Sequence, residues 1–275
     1  MSIFEYEFMR RAFIVGILLA VIIPCIGIVV VLKRLSLIGD ALSHSSLAGV
    51  AAGLVIGINP ILGAVATCIA AALCIEAIRR KIPQYADISL AVILSASVGM
   101  AGVLSGFVKN AANFNSFLFG SVIAFSDFEM VLVVCVSVVV TLAFVLLHKE
   151  LFFIAFDERA ARLAGVPVRA VNTIFTILTA VTISVASRTV GVLIVSSLMV
   201  VPVACAMQFR GSYKRTVVHS ICFAVAFTAA GLYISYYAKL KPGGTIVLLG
   251  VACLFLILFL RQGLSILRGR KNKNR

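Results

Sequence analysis

Residues 12–32 constrain this chain more than any other stretch, because "AFIVGILLAVIIPCIGIVVVL" contains no charged side chain. At 1.5 Å rise per residue, about 20 apolar residues cross a hydrocarbon layer about 30 Å thick. A backbone placed there must satisfy its own amides, so the stretch must be helical. It ends in Lys33-Arg34 rather than at a small-residue cleavage site, and so reads as an anchor rather than a removable leader. Eight more apolar runs follow, near 35–57, 61–78, 88–107, 128–147, 169–186, 190–208, 217–237 and 244–260. The expectation is an all-α polytopic membrane protein with about nine transmembrane helices.

Composition agrees. Hydrophobic residues make up 62% and charged residues 12%, against about 45–50% and about 25% in soluble domains. The formal charge of +14 could suggest nucleic acid. However, the basic residues cluster between apolar runs, Trp is absent, and Tyr and Phe form no base-stacking motif with basic neighbours. No nucleic-acid partner is expected; the partner is the lipid bilayer. The seven cysteines all fall in apolar stretches without a Cys-x-x-Cys pair, and read as small buried hydrophobes.

Charge also sets the orientation. With nine spans, 18 of the 24 Lys and Arg fall on one side. The positive-inside rule then places the N-terminus outside and the C-terminus in the cytoplasm. Eight or ten spans would put both ends on one side and break this sorting over part of the chain. Outside, residues 108–127 carry an apolar patch too short to span, read as interfacial or partly re-entrant. Inside, residues 148–168 contain "FDERAARLAGVPV": Asp157 is a helix N-cap, and Gly165 and Pro167 stop a short helix over about 158–164. No linker divides the chain, so residues 1–275 read as a single membrane domain.

Within the second span stand Asp40 and His44, about 7 Å and about 13 Å from its start near Leu35. Four residues apart on a helix, they share a face. An acid at mid-span costs about 2.5–3.5 kcal/mol on the insertion scale, so such a residue is read as functional. Oxygen and nitrogen ligands together suit a divalent transition metal. An Asp–His pair that only ties helices together is the other reading. Two ligands do not complete a site; further ones would come from another helix, a second subunit or water. A stripe of small residues, Ala41, Ser45, Gly49, Gly53 and Gly57, would let a neighbouring helix pack closely.

Other polar residues carry less. Ser43, and Ser196 and Ser197 ahead of Pro202, are candidates for lining a path, with a break in the seventh span at the proline; a serine bonded to its own helix is the alternative. His148 and His219 sit near helix ends, where a dipole-compensating role is expected. Glu76, one turn before Arg79 and Arg80, is expected to pair with them.

Four stretches, "LKRLSLIGDALSHSSLAGVAAG", "FLFGSVIAFS", "FDERAARLAGVPV" and "VGVLIVSSLMVVPVACA", together resemble the permease subunits of bacterial ABC importers for zinc and manganese. The resemblance runs in order over essentially the whole chain, and residues 39–44 are its most specific part. The opening "YEFMRRAF" is more similar to the zinc branch. The resemblance implies that Asp40 and His44 belong to the metal path. It implies that the short helix, with Asp157, Glu158, Arg159, Ala160, Arg162 and Gly165, couples to an ATPase subunit. It further implies import by alternating access in the bacterial cytoplasmic membrane, a homodimer of permeases, and an extracytoplasmic metal-binding protein that delivers the ion. Zinc or manganese would be cargo, with no permanently bound cofactor. The chain itself would not be an enzyme: without a Gly-Lys dipeptide it has no P-loop.

Three rivals remain at this point. A gradient-driven secondary metal transporter would need the ligands but no coupling helix. An ABC permease for a siderophore or other metal chelate would carry an organic cargo. An intramembrane protease would need His-Glu-x-x-His or a Gly-x-Gly-Asp motif, and residue 37 is Leu.

Overall fold

The structure, a computed structural model, describes residues 6–108, 127–209 and 211–273. Among these residues the chain is all helical and has no strand: α1 (Glu7–Leu32), α2 (Ile38–Ile56), α3 (Pro60–Lys81), a 3₁₀ turn (Pro83–Tyr85), α4 (Ala86–Ser105), α5 (Asp127–Leu146), α6 (His148–Phe156), α7 (Glu158–Leu163), α8 (Val168–Thr189), α9 (Val192–Met207), α10 (Tyr213–Ala238) and α11 (Pro242–Lys273). The expected interfacial segment at 108–127 lies, apart from its first and last residues, outside the described residues.

Seven of the described helices, α1, α3, α4, α5, α8, α10 and α11, are long and apolar enough to cross a membrane. The two remaining runs of the expected nine are α2 and α9, and neither meets both criteria. α9 has only 16 residues. α2 has 19, but Asp40, His44 and three serines lower its hydropathy. Both pack against several other helices. α2 packs on α3, α4, α8 and α9, and α9 on α1, α2, α10 and α11. Burial also differs among the seven candidate spans: about two thirds of the apolar windows of α1 and α8 are buried, but only 22% in α4 and α5 and 17% in α11. The outer helices show Val131, Val138, Leu142, Phe255 and Phe259 to their surroundings, as a lipid-facing or partner-facing surface requires.

Contacts between helix ends define two ends of the bundle. At one, Arg11 pairs with Asp127 at 2.7 Å and Arg188 with Glu129 at 2.8 Å. At the other, Arg261 donates to Gln208 at 2.8 Å, and Phe152 packs on Tyr213 with ring centroids 4.7 Å apart. Lys33, Arg34, the Arg79–Arg80–Lys81 run and the helices α6 and α7 belong to this second, basic end.

Local sequence fixes the turns. Asn59 accepts from Ile61 N–H at 2.9 Å and Pro60 stands first in α3, a pre-formed helix start. α1 closes with Arg34 in the left-handed region (φ +59°), its N–H on Val31 O and that of Leu35 on Val30 O. An arginine where glycine is usual stores backbone strain, held by the packed α1–α2 corner. Two sequence expectations change. α9 runs unbroken through Pro202, because neighbours on all sides hold it as a helix. The 148–168 connection carries a second helix, α6, anchored by buried Leu151 and Ile154, which are three residues apart on one face.

Candidate functional site

Four neighbours take four faces of α2. Ser45 Oγ donates to Ala41 O at 2.8 Å and lies 2.6 Å from Ser97 Oγ on α4. Ser46 Oγ meets Ser187 Oγ on α8 at 2.8 Å. Gly39 lies against Ser196 and Met199 of α9: a Cβ there would sit 2.7 Å from each side chain. Gly49 lies on α3, where a Cβ would run into the Gly63 carbonyl and Thr67 Oγ1. At 3.6 residues per turn, these contacts leave one sector of α2 between α4 and α9. Asp40 and His44 occupy it, both half-buried.

Asp40 sits in the first turn of α2, where exposed N–H groups and the helix dipole favour a carboxylate. One turn beyond His44 the sector closes: Leu47, Val50, Ala64, Ala101 and Val192 form an apolar cluster, with Leu54 packed on it. The pair thus lies between the basic end and an apolar plug. Beside it are two buried hydroxyls without a hydrogen-bond partner, Ser43 Oγ and Ser196 Oγ. An unmade hydrogen bond at a buried polar group costs about 1–3 kcal/mol, so these oxygens suit a polar guest better than an apolar core. Ser196 is therefore not bonded to its own helix. Ser197, the next residue on α9, is half-buried. Among the described residues no three His, Cys, Asp or Glu side chains gather as a metal-holding group.

The small-residue stripe divides in two. Gly49 and Gly53 are close-approach positions, the latter with Pro60 Cα 3.0 Å from any added Cβ. Gly57 is not a packing residue. It caps α2 at φ +84° with nothing within 4 Å of a Cβ, and its conformation makes the turn into α3.

At the basic end α7 is capped as its sequence demands. Asp157 accepts from Arg159 N–H and Ala160 N–H, both at 2.9 Å. Gly165 (φ +83°) ends it in a Schellman turn, with Gly165 N–H on Arg162 O and Val166 N–H on Ala161 O. Glu158 pairs with Arg162 at 3.4 Å and approaches Arg79 at 3.9 Å. Only Ala161 is fully buried, while Arg159, Arg162 and Leu163 face outward, Leu163 with 90% of its surface exposed. The charge pattern alone did not reveal this exposed apolar side chain on a charged helix. Close by, Lys33 donates to Asn172 Oδ1 and lies 5.6 Å from the Phe175 ring centre. Its pKa is pushed down to about 8 by burial and by Arg79, against the pull of Glu76 and Glu158. The other histidines stay at the edges: His148 Nδ1 is 3.1 Å from Val145 O, and His219 packs on Phe209.

Against this geometry the comparisons with known proteins decide the family. The model of the ABC 3 transport family matches residues 5–262. The chain belongs to the ABC 3 transport family. Within that family it is 37% identical to a probable metal transport system membrane protein of Treponema pallidum, over 94% of this chain and 97% of the other. It is 30% identical to the manganese transport system membrane protein MntC of Listeria monocytogenes, over 98% and 97%. It is 26% identical to the high-affinity zinc uptake system membrane protein ZnuB of Haemophilus influenzae, over 94% and 100%. Among solved structures it is similar to PsaBC from Streptococcus pneumoniae in complex with a Fab, with TM-score 0.83 and 25% identity over 93% of this chain and 92% of that one. This ABC 3 family chain is a multi-pass membrane protein.

Proposed function

We propose that the chain is the permease subunit of an ATP-driven importer of divalent transition metal ions, Zn²⁺ first and Mn²⁺ next. The observation that carries the reading is Asp40 and His44, half-buried on one sector of an enclosed helix and flanked by the unpaired hydroxyls of Ser43 and Ser196. The carboxylate offsets the ion's charge, and a neutral imidazole nitrogen replaces part of its water shell. The remaining ligands come from water or from a second copy facing the open sector, which makes the working unit a homodimer. The apolar plug at Leu47 and Val50 keeps the pair closed toward the far end while the sector near the basic end stays open, as alternating access requires.

The basic end faces the cytoplasm by the positive-inside rule, which puts the N-terminus outside and the tail inside the bacterial cytoplasmic membrane. There α7, with its capped charged face and exposed Leu163, docks the separate ATPase subunit. An extracytoplasmic metal-binding protein delivers the ion at the other end. Residues 1–275 act as one permease domain, and ATP hydrolysis belongs to the partner. Relatives named for manganese and for zinc support a transition-metal cargo. Zinc is placed first because nitrogen and oxygen ligands bind it more tightly than manganese. Reconstitution of the complete complex in liposomes, with a panel of ions supplied outside, tests the reading. We expect ATP-dependent accumulation of zinc. Manganese alone would move the cargo to that metal, and accumulation without ATP would establish a gradient-driven transporter instead.

A further inference from the structure

One buried titratable group has no part in the reading above. Glu76, on the last turns of α3, is 5% exposed. Its carboxylate accepts from Arg79 Nε at 3.0 Å, Arg79 Nη2 at 3.1 Å and Arg80 Nε at 2.9 Å. Each arginine then reaches a different element. Arg79 Nη1 lies 3.9 Å from Glu158 Oε2, at the first residue of α7. Arg80 Nη2 donates to Arg169 O at 3.0 Å and to Thr173 Oγ1 at 2.6 Å, on the first turns of α8. A single carboxylate thereby holds both arms in place.

The other end of this linkage lies on α2. Along α3 from Glu76, Thr67 Oγ1 donates to Ser45 O at 3.0 Å, one residue from His44. Four residues before Thr67, Gly63 presses its backbone on Gly49, with no room for a side chain on either. α8 also touches α2, through Ser187 and Ser46. α7 is thus connected to the Asp40–His44 helix through closely packed contacts on α3 and α8. A buried acid with two guanidinium partners is seldom more stabilising than apolar residues of the same shape, so its value lies in fixing one arrangement over another. We propose that Glu76 is a positioning residue for transport: it holds Arg79 on Glu158 and Arg80 on α8, and so converts movement of α7 into movement of α3 and α2.

The inference rests on the importer reading, and the experiment separates the two. The complete complex, permease with its ATPase and binding protein, is reconstituted in liposomes, and zinc or manganese ions moved per ATP hydrolysed are counted. For Glu76→Gln, which keeps the shape and removes the charge, we expect the ratio to fall about tenfold, within the usual span of coupling energies, while hydrolysis persists. Glu76→Asp should recover most of it. Should Glu76→Gln fail to assemble, Glu158→Gln carries the test, with a smaller loss of the same ratio because only one arm is cut. An unchanged ratio in the variant that assembles overturns the proposal, as does a fall in uptake and hydrolysis together. If the wild-type complex moves no metal with ATP, the importer reading falls and takes this one with it.

Discussion

On the proposed reading, a carboxylate and an imidazole four residues apart would give a divalent ion two ligands of complementary kind, an anionic oxygen that offsets its charge and a neutral nitrogen that coordinates it. Asp40→Asn keeps the shape of the first and removes the charge; His44→Ala removes the second. We expect each to lower metal uptake by about 100-fold or more, beyond the 10–100-fold that outer partners of a metal site command. The two losses should not add, since one missing ligand already closes the route. Assembly, checked by co-purification with the ATPase, should survive, because the four faces of α2 that hold it in place are untouched. Normal uptake by His44→Ala would make the pair a structural tie. At the same scale Gly49→Val should prevent proper assembly, because the added carbons meet the Gly63 carbonyl and Thr67. Gly57 should resist Val for a different reason, its left-handed backbone.

Among the elements, α7 owes its existence to its caps rather than to its length. Six residues cannot hold a helix in water by propensity. Asp157→Ala should weaken it by about 1 kcal/mol, a typical loss for an N-cap, read as faster proteolysis of the 157–166 connection in the purified complex. Reversing the charges of Glu158, Arg159 and Arg162 together should uncouple hydrolysis from transport while metal binding remains. Leu163→Glu should release the ATPase from the purified complex, because a charge would then have to enter the surface that buries leucine. If the triple variant transports normally and Leu163→Glu keeps the ATPase bound, the docking surface lies elsewhere on the basic end.

For the whole molecule, the division of burial decides where function can sit. The outer helices α4, α5 and α11 are the least buried of the candidate spans, whereas α2, which carries Asp40 and His44, packs against four other helices. Such a bundle can hold charge inside and still insert. In cells grown with a chelator, deletion of the chain should lower zinc content, with rescue by added zinc. A manganese deficit with normal zinc would reassign the cargo, and unchanged metal content would sink the importer reading.

Sequence by itself determined the class of molecule, because an apolar run of about 20 residues has only one way to sit in hydrocarbon. It also determined the capped helix at Asp157 and the pairing of Glu76 with its arginines, since both are contacts between residues at most four apart. It singled out Asp40 and His44 by the cost of placing them in a span. Tertiary structure decided what such local rules do not reach. α9 stays whole at Pro202 because its neighbours enclose it. Ser45, Ser46 and Thr67 are tied to partners distant in the chain. Arg79 reaches α7, although it stands 79 positions before Glu158 in the chain. Period and propensity act over one or two turns of helix, whereas the faces that meet are chosen by packing, which depends on the whole chain at once.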